Sequence, residues 1–125
     1  MQISKNSRSD KVDECIFCKI VNKEIPAKAV YEDDRIIAFD DINPQAPVHV
    51  LLIPKEHFKS LEDIPEGSKD LLGHILIKAR QVALEKGVGD SGYRIVLNTG
   101  RDSGQDVFHI HFHVLGGRRM SWPPG

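Results

Sequence analysis

The sequence is short of most features that would commit it to a special environment. No apolar run approaches the ~20 residues that span a bilayer, so no membrane segment is expected. Neither charge sign dominates: 17 Lys and Arg against 18 Asp and Glu leave a formal charge of −1. That balance offers no electrostatic footprint for nucleic acid or an anionic membrane as partner. Cysteine is scarce, and the two that occur, Cys15 and Cys18, form a single C-x-x-C. A disulfide-stapled scaffold is excluded by that count, and the spacing points to metal or redox chemistry. Residues 1–13 (MQISKNSRSDKVD) lack the apolar stretch of a signal peptide. They read as a flexible tail ahead of one cytoplasmic domain over 14–125, a length that supports a real core. No repeat or low-complexity segment is present.

Histidine, by contrast, is concentrated. Three of the six fall within His109-Ile110-His111-Phe112-His113-Val114-Leu115, at strict alternate positions. The intervening residues favour a strand, in which successive side chains point to opposite faces. The three imidazoles would then share one face, rooted roughly 6.5–7 Å apart, with Ile110, Phe112 and Val114 on the other. Such a row can bind a metal, grip an anion or attack an electrophile. The bland alternative is a solvated strand face, which rarely selects His three times.

The remaining pattern indicates an α+β domain, an antiparallel sheet of about five strands with one long and one short helix. Asp13 is placed to cap a short helix over 15–22 that Pro26 prevents from continuing. Residues 29–31 and 36–39 read as a hairpin turned at Asp33-Asp34. Residues 48–53 are almost continuously apolar and read as a central strand. Residues 68–86 carry Leu71, Leu72, Ile75, Leu76, Ala79, Val82 and Ala83 on one helical stripe, with Gly87 as the stop. His74 falls on the polar side of that helix with Lys78, Gln81 and Glu85 and reads as surface. Residues 93–97 and 107–115 are the last two strands.

The loop 98–106 delivers the chain into the histidine row. Gly100 and Gly104 allow its backbone N–H groups to converge on an anion, and Asn98 can bond a ligand oxygen. An ordinary long connection is the competing reading. His49, alone on its apolar strand, is either a satisfied core histidine or a partner that fixes a tautomer in the row. Cys15 and Cys18 supply half a tetrahedral zinc site. His57 and His109 are available for the other half, and two small buried residues are the alternative.

These residues resemble the histidine-triad (HIT) nucleotide-binding family, whose motif is His-x-His-x-His followed by two apolar residues. The resemblance runs from Asp13 to Gly125. It is strongest to the Hint branch, the purine nucleoside phosphoramidate hydrolases. Residues 25–28 (IPAK), 32–35 (EDDR), 44–47 (PQAP), Tyr93-Arg94 and the tail from Gly116 to Trp122-Pro123-Pro124-Gly125 carry that likeness. The third His is unlike the nucleotidyltransferase branch, and the tail is unlike the dinucleoside polyphosphate hydrolase branch.

The resemblance implies roles. His111 is the nucleophile on the α-phosphorus, His113 a donor to a phosphate oxygen, and His49 the residue that orients His111. Asn98 and the backbone of Gly104, Gln105, Asp106 and Val107 line the phosphate site. Asp41 holds the ribose hydroxyls, and Phe17, Ile20, Phe39 and Ile42 form the base slot. The ligand is a purine nucleotide, AMP or GMP or an amine conjugate. No cofactor enters the chemistry, and two chains join their sheets in a homodimer. Zinc-binding relatives imply one structural zinc on Cys15, Cys18, His57 and His109.

Asp106 stands where the Hint branch usually has Ser, which implies an altered leaving-group preference or a lower pH optimum. A dinucleoside polyphosphate hydrolase, a nucleotide-binding scaffold with little turnover, and a three-His metal hydrolase are the alternatives. The scarcity of carboxylates around the row disfavours the last.

Overall fold

The computed structural model describes residues 12–125. Of the expected tail, residues 1–11 lie outside the described residues, while Val12–Glu14 form one 3-10 turn. Helix α1 (Ile16–Val21) follows, then strands β1 (Ala29–Glu32), β2 (Ile36–Asp40) and β3 (Val48–Pro54). Helix α2 (Lys69–Glu85), strand β4 (Tyr93–Leu97) and strand β5 (Phe112–Gly116) complete the chain. The five strands form one sheet in the order β1-β2-β3-β5-β4, antiparallel at every pairing. The expected α+β sheet with one long and one short helix is what the chain adopts. No helix among the described residues is long and apolar enough to cross a membrane.

Strand alternation divides the core between the two faces. Ile36 and Ala38 of β2, Val50 and Leu52 of β3, and Phe112 and Val114 of β5 face α2, which contributes Ile75, Ala79, Val82 and Ala83. Ile37, Phe39, Leu51 and Ile53 face the other way, toward Cys15, Phe17, Cys18 and Ile20 of the α1 region. With helices on both faces, β3 is buried along nearly its whole length, as its continuous apolar run required.

Local signals set the boundaries. Asp33 Oδ1 accepts from the N–H groups of Arg35 and Ile36 at 2.8 and 2.9 Å, an Asx turn that closes the β1–β2 hairpin. Helix α2 ends on Gly87 at φ +83, with Val88 N–H on the Ala83 carbonyl and Gly87 N–H on that of Leu84. This is the paired-bond stop that a left-handed glycine permits.

Three expectations need correction. The cap of α1 is Cys15, whose Sγ accepts from Cys18 N–H at 3.4 Å, in place of Asp13. His74 is half-buried and not free at the surface: its Nε2 lies 2.6 Å from Asp33 Oδ2, tying α2 to the β1–β2 turn, where Tyr31 O–H also donates to that oxygen. Helical periodicity places His74 beside Lys78 but cannot show that a turn folds against that flank.

The third correction concerns the last strand, which begins at Phe112 and not at Val107. The register pairs Leu52 with Phe112, so continuing it would set Pro54 opposite Ile110. Pro54 has no N–H to give the ladder. Ile110 N–H turns instead to the Phe58 carbonyl at 2.7 Å.

Candidate active site and metal centre

Only His113 lies on β5, yet the alternation persists through the extended approach to it. Ile110 packs in the core under α2 with Phe112 and Val114. The three imidazoles occupy the α1 side. Phe17 presses edge-on against two of them, with centroids 5.9 Å from His109 and 5.1 Å from His111. The His111 and His113 rings lie 5.0 Å apart.

Each ring is oriented by a different partner, and the partners fix where the protons sit. His111 Nδ1 lies 2.8 Å from the carbonyl oxygen of His109. A carbonyl only accepts, so Nδ1 donates and the neutral ring keeps its lone pair on Nε2. On His49, Nδ1 accepts from Gln45 N–H at 3.0 Å, which places the proton on Nε2. That Nε2–H donates to His113 Nδ1 at 2.9 Å, with Asp41 Oδ2 at 3.4 Å. His113 therefore carries its proton on Nε2, a buried donor with no partner among the described residues. Burial pushes the His113 pKa down to about 4, with His111 and His49 adding to the effect. Burial also lowers that of His49, against the opposing charge of Asp41. Both rings are neutral at pH 7.

The expected pairing of His49 with His111 is thus corrected: His49 bonds His113. The register gives the reason. Leu51 faces His113 across β3 and β5, so His49, two residues back, is the diagonal neighbour of His113 on that face.

A cavity of about 860 Å3 opens in front of His111 and His113. Of the expected site residues, Phe17, Ile20, Phe39, Asp41, Ile42, Asp106 and Val107 line it with those two histidines. Ile42 stands at the rim, 99% exposed. Asn98, Gly104 and Gln105 do not line it, and His49 stands behind His113.

The loop explains this. Gly104 N–H bonds the Arg101 carbonyl, and Gly100 N–H bonds Gln105 Oε1. Buried Gln105 also donates to the carbonyls of Lys59 and Val107. Those donors hold the loop together and are not turned to the cavity. Ile16, Ile25, Pro26, Ala27, Lys28, Asp40 and Leu51 complete the lining. Leu51 was legible by parity, being two residues from His49 on the strand that presents it.

Beside this cavity, the start of α1 meets the end of β3. Cys15 Sγ lies 3.4 Å from His109 Nδ1, and Cys18 Sγ 3.6 Å from it. His57 Nδ1 lies 3.2 Å from both Cys18 Sγ and His109 Nδ1. A tetrahedral zinc with ordinary bond lengths sets nitrogens about 3.4 Å apart and nitrogen from sulfur about 3.6 Å. These four separations match that shape to within a few tenths of an ångström, and all four donor atoms lie within 4.8 Å of one another. His109 donates Nε2–H to the Pro54 carbonyl at 2.8 Å, leaving a bare Nδ1 turned toward the two sulfurs. Without a cation, burial and the neighbouring Cys15 push the Cys18 thiol up to about 12. A bound dication reverses that balance and holds both sulfurs as thiolates. The residues present therefore fit a zinc ion.

Asp41, His49 and His113 also bring three donor atoms within 4.8 Å of one another. They do not suit a metal. Gln45 N–H already takes the His49 Nδ1 lone pair, so Nε2 holds the ring proton and offers no ligand.

The chain matches the family model described as scavenger mRNA decapping enzyme C-term binding over residues 14–122. It is 55% identical over 113 residues to an uncharacterized HIT-like protein of Synechocystis sp., covering 90% of this chain and 98% of that protein. The chain belongs to the HIT-like family. A second relative, the 14 kDa zinc-binding protein of Zea mays, is 51% identical over 88% of this chain and 87% of its own length. Among solved structures, a HIT family hydrolase from Legionella pneumophila superposes with a TM-score of 0.87 at 51% identity. That match covers 89% of this chain and 99% of the Legionella protein. In this HIT-like chain the triad divides its labour: His109 faces the cysteines, while His111 and His113 face the cavity.

Proposed function

We propose that this HIT-like protein hydrolyses purine nucleoside 5′-phosphoramidates, such as AMP-amine conjugates, through a covalent nucleotidyl-histidine. The observation that carries the reading is the His111 tautomer. Its Nδ1–H is held by the His109 carbonyl, so the Nε2 lone pair of the neutral ring is the available nucleophile. His111 Nε2 bonds the α-phosphorus and the P–N bond breaks. Its electron pair leaves on the amine nitrogen, which takes a proton from solvent. Water then bonds phosphorus, the N–P pair returns to Nε2, and the water proton passes to solvent.

The unpartnered Nε2–H of His113 is a donor for a non-bridging phosphate oxygen as charge develops there. Asp41 accepts from the ribose hydroxyls. Phe17, Ile20, Phe39 and Ile42 hold the base by its faces, which suits adenine and guanine alike. Asp106 and Val107, at the end of the loop that carries Asn98, Gly104 and Gln105, border the phosphate. One zinc on Cys15, Cys18, His57 and His109 serves as a structural fastener outside the chemistry. The working form is a cytoplasmic homodimer, testable by light scattering.

The test is turnover of a fluorogenic adenosine 5′-phosphoramidate by the native chain and by His111→Asn. The expected result is turnover that vanishes in the variant while AMP still binds. AMP binding without turnover by the native chain would leave a nucleotide-binding scaffold in place of an enzyme.

A further inference from the structure

Asp106 is an uncompensated charge at the mouth of the cavity. Its Oδ1 lies 3.9 Å from His111 Nε2, and its side chain is 83% exposed. Among the described residues no lysine or arginine nitrogen lies within 4 Å of its carboxylate, and Lys28 is the one cation that shares the cavity lining with it. The other carboxylates of the rim are placed differently. Asp40 is paired with Lys86 at 2.9 Å, and Asp41 is turned to His49 at 3.4 Å. Nor can Asp106 swing away with its loop. On one side Gln105 is buried and bonds Gly100, Lys59 and Val107, and on the other Val107 packs against the α1-side core.

In-line displacement puts the departing group on the side of phosphorus opposite His111 Nε2, and a carboxylate with an oxygen 3.9 Å from that nitrogen flanks the path between them. We propose that Asp106 selects the leaving group by charge, favouring nucleotide conjugates whose departing portion is cationic and disfavouring anionic ones. This rests on the phosphoramidase reading of the same cavity and narrows its substrate class. Amines that carry a second, protonated amine are the preferred departing groups. Carboxylated amines and polyphosphate chains are the disfavoured ones. For charges roughly 6 Å apart beside so exposed a carboxylate, Coulomb's law in water gives a discrimination of about 3-fold per unit charge.

Three adenosine 5′-phosphoramidates test it, made with ethylenediamine (cationic), propylamine (neutral) and β-alanine (anionic), with diadenosine tetraphosphate as a fourth substrate. kcat/KM is measured for the native chain, Asp106→Asn and Asp106→Lys. Differences in amine basicity cancel when the variant ratios are divided into the native ones. The expected native cation-to-anion ratio exceeds that of Asp106→Asn by about 10-fold for two charge units. It inverts in Asp106→Lys and shrinks in 1 M salt, where the Debye length falls to about 3 Å. A role for Asp106 in holding the loop alone would change all conjugates together and leave the ratio fixed. Turnover with a ratio that ignores both substitutions overturns the assignment and spares the phosphoramidase reading. No turnover of any amine conjugate by the native chain overturns both. Preference for the tetraphosphate replaces them with the polyphosphate reading.

Discussion

Stripping the metal is the perturbation whose consequences reach furthest. Helix α1 has six residues, too few to persist in water on its own sequence. It is held by the burial of Phe17 and Ile20 and by Cys15 and Cys18, which sit at its cap and first turn. Burying those two apolar side chains is worth about 1.5–3 kcal/mol each, while ordering each residue of the segment costs about 1–2 kcal/mol of backbone entropy. On these two terms alone the helix falls short of balance by several kcal/mol without the metal. Zinc present at about a thousand times its Kd adds about 4 kcal/mol to folding by mass action. For a domain of this size that corresponds to about 12–20 °C in Tm.

The same loss reaches the cavity, because Phe17 and Ile20 form one wall and His109 supplies the carbonyl that holds His111. We expect protein purified without a polyhistidine tag to contain one zinc per chain by elemental analysis. Exhaustive chelation should lower Tm by that amount, speed amide exchange over residues 15–22, and weaken AMP binding. Cys18→Ser should behave like the chelated protein. Quantitative removal of zinc with Tm, exchange and AMP affinity all unmoved would refute the coupling. Protein that never holds zinc would refute the fastener itself.

Three further outcomes are expected. His49→Ala leaves Gln45 N–H without its acceptor and frees His113 to change tautomer, so kcat should fall about 10- to 100-fold, as for lost supporting partners elsewhere. Nitrogen chemical shifts of His113 should report the tautomer change directly. Part of the pH dependence follows from His113, whose pKa is about 4 in the folded chain against an ordinary value near ~6.5, with buried His109 lowered to about 4 as well in metal-free protein. A depressed pKa means the unfolded chain binds the proton first as pH falls. The contribution to stability is complete above pH ~6.5, is lost on the way down to about 4, and is flat below. Denaturant titrations of metal-free protein across that window should show the slope, and His113→Gln should reduce it. Gly116→Ala places a Cβ 2.9 Å from Val88 Cβ at the end of β5. Overpacking there should cost about 1–3 kcal/mol in urea unfolding.

What the sequence made legible was whatever depends on one element's own period. The face shared by His109, His111 and His113, the buried stripe of α2 except for Leu76, which is 45% exposed, and the central place of β3 all follow from spacing. What stayed hidden depends on two segments meeting. Nothing in residues 107–111 announces that Pro54 will stand opposite Ile110, yet that encounter ends the ladder and frees His109 to turn toward the cysteines. The partner of His49 was set by strand register, and the role of His74 by the fold of a turn forty-one residues away. The loop glycines suggested an anion nest, but the side chain of Gln105 competes for those donors, and composition does not show who wins.

The backbone bond from His109 to His111 gives the motif an unequal grammar. The first histidine shapes the second through its carbonyl, which every residue type possesses, and serves the cysteines through its ring. A mutational scan scored separately for cellular abundance and for turnover should therefore split the triad. Substitutions at 109 should fall on the abundance axis, since they unmake the fastener before they touch the chemistry. Those at 111 should fall on the turnover axis alone. Those at 113, where a buried ring meets both His49 and the cavity, should spread along the diagonal between them.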